Sequence, residues 1–412
     1  METRVAVVGG GYSGLAAAFR LAESDVPVTL FESSKMLGGR ARGLDLNGFR
    51  VDNGQHILLG CYTETLALVE KTCMHPAPFL KIPFELSVDE FRIKSLALPR
   101  PLNLLSGLLL AKGISFSEKA SALAFLSGMK CMREKDVSVS ELLKNQPERL
   151  REWLWKPLCI AALNTPFEIA SGNVFISVLK DALNGSDILI PRIDLSSLFP
   201  SAAAGTILKN GGRILLSTPV RSISKIGKGF ELSSEGGKFS FSHVILAVAP
   251  YHVSGLTRDL PGIGAPDFDY QPICTVYSKY PGSSGLPQEM KGFSRGLVQW
   301  LFDRGKICGQ EGLIAAVISA ARLDISSDEI AKTVHEETKE FVPDLPDPVW
   351  QKVILEKRAT FSCTPNLKKP GNETALENFF LAGDYTAGPY PATLESAVRS
   401  GAASARLLLK TI

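Results

Sequence analysis

Along the first thirty residues the period of the apolar positions changes twice. Val5-Ala6-Val7-Val8 is an unbroken apolar run of strand length, which predicts a strand buried on both faces. Leu15, Ala18, Phe19 and Ala22 then recur at helical spacing. After Ser24-Asp25 the run from Val26 to Phe31 predicts a second buried strand, which ends on Glu32. Between the first strand and the helix lie Gly9-Gly10-Gly11-Tyr12-Ser13-Gly14.

The far end of the chain repeats the strand and helix pattern. "NFFLAGDYTAGPYPATLESAVRSGAASARLLL" predicts a short apolar strand closing on Gly383-Asp384, a turn-rich loop, and a helix begun by Pro391. That helix has its apolar stripe at Leu394, Ala397, Val398, Gly401, Ala405 and Leu408. In the middle, Gly211 to Pro250 predicts a meander of short strands, with Ile245 to Val248 a buried strand returning to the sheet. Leu96 to Leu126 and Pro157 to Leu183 predict apolar helices rich in small residues.

The fold class that follows is α/β, a Rossmann-type nucleotide domain with a mostly parallel sheet, interrupted by an inserted mixed α+β substrate domain. The expected nucleotide segments are 1–75, 204–265 and 356–412, and the expected substrate segments are 76–203 and 266–355.

Composition narrows the class without changing it. The chain has 412 residues, 45% hydrophobic and 21% charged, enough for a sizeable core and against disorder. Its formal charge of +3 gives no reason to expect a nucleic-acid partner. Seven widely spaced Cys and five His form no metal-ligand or disulfide pattern, and with no signal-peptide pattern in the first residues a reducing cytoplasm is expected. Charge is uneven, however. From Phe91 to Lys135 eight Lys or Arg stand against two Glu, around the uncharged stretch Leu102 to Ala111, which is too short to span a bilayer. A core helix with solvated flanks and a membrane-surface element both fit that segment.

The glycine cluster has a mechanical reading. Gly9 permits a tight turn, Gly11 lets backbone approach a pyrophosphate, and Gly14 lets the helix pack on the sheet, with Ser13 in the same phosphate-facing loop. The helix start offers unpaired N–H groups and a positive dipole end to phosphate. Glu32, at the end of the second strand, is placed to accept ribose hydroxyls. Gly38-Gly39-Arg40 then adds a second glycine turn and a guanidinium after the acid, which suits a dinucleotide buried along its length.

This pattern resembles the flavin-containing amine oxidase and phytoene desaturase superfamily. The resemblance implies FAD as cofactor, contacted by Gly38, Gly39 and Arg40, with Val220 beside the adenine, Gly383 and Asp384 at the ribityl and pyrophosphate region, and the helix start at Thr393 and Leu394 aimed at the flavin. "VDNGQHILLGCYTETLALVE", "LALPRPLNLLSGLLLAKGISFSEKASALAFL" and "PLCIAALNTPFEIASGNVFISVLKDAL" are similar to one branch, the hydroxysqualene dehydroxylases of bacterial hopanoid biosynthesis. The likeness runs from residue 5 to about 409; the stretch from Gly285 to Asp347 carries no matching motif.

The branch implies reductive removal of the allylic hydroxyl of hydroxysqualene to give squalene, with possible partners in a hydroxysqualene synthase and a membrane surface. Hydroxide leaves slowly without a proton donor, so a general acid is expected. The segment after the second glycine turn runs beneath the flavin in the superfamily, which makes His56 a candidate donor with Asp52 holding its tautomer, and Tyr62 an alternative. Asp52 and His56 could instead only brace the loop. A carotenoid desaturase, running the opposite redox direction, and a redox-inactive FAD-binding scaffold are the competing functions.

Overall fold

A computed structural model describes residues 3–82, 85–96, 98, 102–129, 135–184, 187–321 and 324–412. Five short strands form an all-parallel sheet in the order Arg213–Leu215, Val28–Phe31, Val5–Val8, His243–Leu246, Phe379–Leu381. The two central strands are buried throughout, which explains their unbroken apolar runs. The chain enters this sheet from three distant stretches of sequence, so the site at its edge is assembled by long-range pairing.

The helix Tyr12–Glu23 packs against the C-terminal helix Leu394–Leu409 through small side chains, including the buried Ala16, Ala17, Ala402 and Ala405. Three expected boundaries move, the first being the returning strand, which runs His243–Leu246 and not Ile245–Val248. The second strand starts at Val28, because Asp25 turns with φ of 55° before it. The last helix starts at Leu394 rather than Pro391, because Thr393 accepts the N–H of Ser396 and supplies the cap. The middle meander also divides: Arg213–Leu215 and His243–Leu246 join the parallel sheet, while Val220–Ile226, Gly229–Ser234 and Gly237–Phe241 form a separate antiparallel sheet.

A seven-stranded sheet runs Trp350–Phe361, Tyr270–Lys279, Leu313–Ser319, Trp300–Asp303, Met290–Gly292, Glu85–Val88, Phe91–Lys94. It is antiparallel except between Met290–Gly292 and Glu85–Val88. Strands from both sides of the nucleotide segments therefore share one sheet. Its Tyr270–Lys279 strand lies over the loop that follows the hairpin Gly43–Leu46 and Phe49–Asp52. The apolar stretches of the insertion form the helices Leu102–Leu109, Phe116–Gly128, Lys156–Leu163 and Gly172–Asn184.

Candidate active site

The two glycine turns touch. Gly38 donates its N–H to the Gly10 carbonyl at 2.9 Å and pairs with Gly11 in an isolated parallel bridge. A Cβ on Gly39 would lie 3.1 Å from the Cα of Gly11, and one on Gly14 would overlap the carbonyl oxygen of Gly9. Both close approaches require glycine, and together they leave a backbone-lined cradle at the start of the helix Tyr12–Glu23. Inside it the Ser13 hydroxyl is buried with no partner.

Glu32 is 8% exposed and accepts the N–H groups of Gly10 and Ser34, each at 2.7 Å. Its backbone is fixed by Leu215 and Thr218, and the strand beginning at Val220 follows two residues later. Adenosine-side candidates from positions 32 and 220 thus adjoin one another.

Arg40 reaches across the sheet. Its Nη2 donates to Oδ2 of Asp384 at 2.7 Å and its Nη1 to the Ala359 carbonyl at 2.6 Å. The Asp384 carboxylate holds the guanidinium pKa above its usual value, so Arg40 is a permanent cation. The Asp384 carbonyl accepts the Ser396 hydroxyl, whose N–H goes to Thr393, and Gly383 donates to Ser400. One network therefore links Gly383, Asp384, Thr393 and the first turn of the C-terminal helix; Leu394 is half-buried at its start.

The residues considered for proton transfer are placed differently. Nδ1 of His56 lies 2.7 Å from the Gly54 carbonyl, and since a carbonyl only accepts, Nδ1 carries the hydrogen and Nε2 is the free nitrogen. The tautomer is thus held by Gly54 and not by Asp52, whose side chain is engaged elsewhere. Burial lowers the His56 pKa, against a smaller opposing effect of the Gly54 carbonyl. Asp52 is 1% exposed; its Oδ1 accepts the N–H of Leu195 at 2.7 Å, and its carbonyl accepts the Tyr277 hydroxyl. Burial pushes its carboxyl pKa up to about 7, with the Leu195 N–H and the Arg304 charge pulling the other way. Tyr62 packs in a cluster with Leu58, Leu189 and Tyr390, edge-on to the Tyr390 ring at 5.9 Å, and burial raises its phenol pKa far above neutrality.

Two residues with no motif complete this region. Arg304 is 1% exposed and donates to Gln55 and Gln310, which places a buried cation beside the Asp52 to His56 segment. Thr275 is 1% exposed with an unpartnered hydroxyl, and both it and His56 face Gly54. Period-two alternation in "PICTVYSKY" puts Ile273, Thr275 and Tyr277 on one strand face, a signal that could have found Thr275; nothing local marks Arg304.

The pattern of the flavin containing amine oxidoreductases matches residues 12–409. The chain belongs to this family. Its members are flavoproteins, and the cofactor here is FAD. The residues fit that group: a glycine cradle at a helix start, an acid at the end of the second strand, and orphaned buried donors at Ser13, Arg42, Thr275 and Tyr385 that a polar ligand would satisfy. The chain is 30% identical to hydroxysqualene dehydroxylase of Zymomonas mobilis over 98% of each chain. It is 23% identical to zeta-carotene desaturase of Synechocystis, over 98% of this chain and 97% of that one. Among solved structures, a putative protoporphyrinogen oxidase from Exiguobacterium superposes with a TM-score of 0.73 at 17% identity, over 100% of this chain and 99% of that one, a likeness of fold. No helix among the described residues is long and apolar enough to cross a membrane.

Proposed function

We propose that this oxidoreductase removes the allylic hydroxyl of hydroxysqualene, giving squalene and water. The end-to-end likeness to the Zymomonas hydroxysqualene dehydroxylase carries the reading, and the lower identity to zeta-carotene desaturase makes desaturation the weaker alternative. Reduced FAD, when bound, supplies the electron pair and hydrogen that replace the broken C–O bond.

The chain's own residues do the rest. Arg40, Asp384 and the glycine cradle hold the dinucleotide, and the helix start behind Thr393 presents a positive dipole end near it. His56 is the proposed proton donor: with Nδ1 committed to Gly54, Nε2 is left to carry a proton to the departing hydroxyl. Tyr62 remains the second candidate. Asp52 and Arg304 brace the loop from behind, through Leu195 and Gln55. A thirty-carbon polyene binds by burial of apolar surface, for which the inserted helices supply side chains. Such a substrate partitions into lipid, so hand-over from a hydroxysqualene-forming synthase and peripheral attachment at the cytoplasmic face of a membrane belong to the same reading.

Anaerobic incubation of photoreduced protein with hydroxysqualene in detergent, followed by mass spectrometry, tests it. Squalene is the expected product; no squalene, with conversion of phytoene by the oxidised protein, would replace this reading by desaturation.

A further inference from the structure

The region from Phe91 to Gly128 forms one unit at an edge of the seven-stranded sheet. The strand Phe91–Lys94 is the terminal strand, and the helix Leu102–Leu109 lies on it, where a Cβ on Gly107 would meet the Ser95 backbone at 3.3 Å. The chain then returns, with Arg92 and Lys112 exchanging two backbone hydrogen bonds, before Ser115 caps the helix Phe116–Gly128. Lys119 donates to the Leu109 carbonyl at 2.7 Å, tying the second helix to the leucine turn.

This unit buries Phe91, Ile93, Leu108 and Ala122 in the core but also exposes a set of large apolar side chains. Leu96 is 49% exposed, Leu98 44%, Leu109 57%, Leu110 58% and Phe116 80%. They are five of the fifteen exposed large hydrophobic side chains among the described residues, gathered within 21 positions. A concentration of that kind marks an interaction surface.

Charge identifies the partner. Among the described residues of this unit, Arg92, Lys94, Lys112 and Lys119 stand against Glu118. Between 91 and 128 the single acid is Glu118, and its carboxylate is occupied by the Ser115 N–H and hydroxyl in the helix cap. A second copy of so basic a face would be repelled. An anionic bilayer matches both properties, with phosphate for the lysines and acyl chain for the leucines and Phe116.

We infer that the Phe91–Gly128 unit docks this protein on an anionic lipid surface, seated by Leu109, Leu110 and Phe116 and held by Lys112 and Lys119. The inference deepens the proposed function by naming where a lipid-soluble substrate is exchanged, and it rests on that reading only for its purpose.

The test is flotation of the FAD-loaded protein with vesicles of phosphatidylglycerol and phosphatidylcholine. Binding is expected, reduced by high salt, and weak on pure phosphatidylcholine. The charge reversal Lys112→Glu with Lys119→Glu should lower partitioning at least twentyfold, since each basic residue near such a surface is worth about fivefold. Leu110→Ser with Phe116→Ser should lower it by tenfold or more, while circular dichroism and flavin absorbance stay unchanged because both side chains are exposed. No binding to anionic vesicles, binding indifferent to both double variants, or self-association in their absence that Phe116→Ser abolishes would each overturn the inference. Squalene formation in detergent is read in parallel and should not change in these variants. Docking can therefore fail while the activity stands, and the activity can fail while docking stands.

Discussion

Arg40 and Asp384, 344 positions apart, meet at 2.7 Å and join the second glycine turn to the loop that leads into the C-terminal helix. Asp384 is 8% exposed, so this contact is a largely buried ion pair.

Arg40→Gln therefore leaves a buried carboxylate without its cation on the edge of the cofactor cradle. The expected outcome is FAD affinity lower by at least tenfold, read as the flavin-to-protein absorbance ratio after desalting. Unchanged retention would mean that the pair serves the fold without serving the cofactor.

Glu395 is fully buried and accepts the N–H groups of Glu64 and Thr65, the Thr65 hydroxyl and Nε of Arg399. It caps the helix Thr63–Thr72 from the other end of the chain. An exposed helix pair four residues apart is worth ~0.5 kcal/mol, whereas breaking a buried charge network costs ~3–5 kcal/mol. Glu395→Ala should fall in the second class, with a melting temperature lower by roughly three to six degrees. A shift of one or two degrees would reduce Glu395 to an ordinary partner of Arg399.

Asp52 gives the protein a pH signature. Its folded pKa of about 7 lies above the unfolded value of 3.8, so the folded state binds this proton more tightly. The associated stability is present at low pH and is lost as pH rises from about 4 through 7. Asp52→Asn keeps an oxygen for the Leu195 N–H and removes the ionisation. It should melt several degrees above the parent at pH 8 and differ little near pH 4; equal melting temperatures at pH 8 would show that Arg304 already compensates the charge.

For His56 the lowered pKa puts the acid form in the minority at neutral pH. If its imidazolium donates the proton, turnover falls as pH rises through a value below 6.5, and His56→Ala loses about 10²–10⁴-fold in kcat without losing FAD. Full turnover in the variant would remove His56 from the chemistry and leave Tyr62 as the candidate.

Much of the architecture was legible because its signals are local. The unbroken apolar runs Val5 to Val8 and Ile245 to Val248 mark strands buried between helices on one face and the antiparallel meander on the other, and the Gly9 to Gly14 spacing follows from backbone clearance within one turn. The Glu395 cap was not legible, because Thr65 lies 330 positions away and Arg399, four residues on, offers a local explanation. Arg304 had no motif at all. It was visible only once the Trp300–Asp303 strand set it against Gln55, which belongs to another part of the chain. The Pro391 start was misplaced because proline and Thr393 are both good first-turn residues, and the Ser396 N–H chose the threonine.

The most direct test of the whole account is a single turnover. Stoichiometrically photoreduced protein is mixed anaerobically with hydroxysqualene while flavin absorbance near 450 nm is followed and products are quantified. The account predicts that the oxidised flavin spectrum returns together with one squalene per flavin. A flavin that stays reduced while no squalene forms, or squalene formed without any change in the flavin, would contradict it.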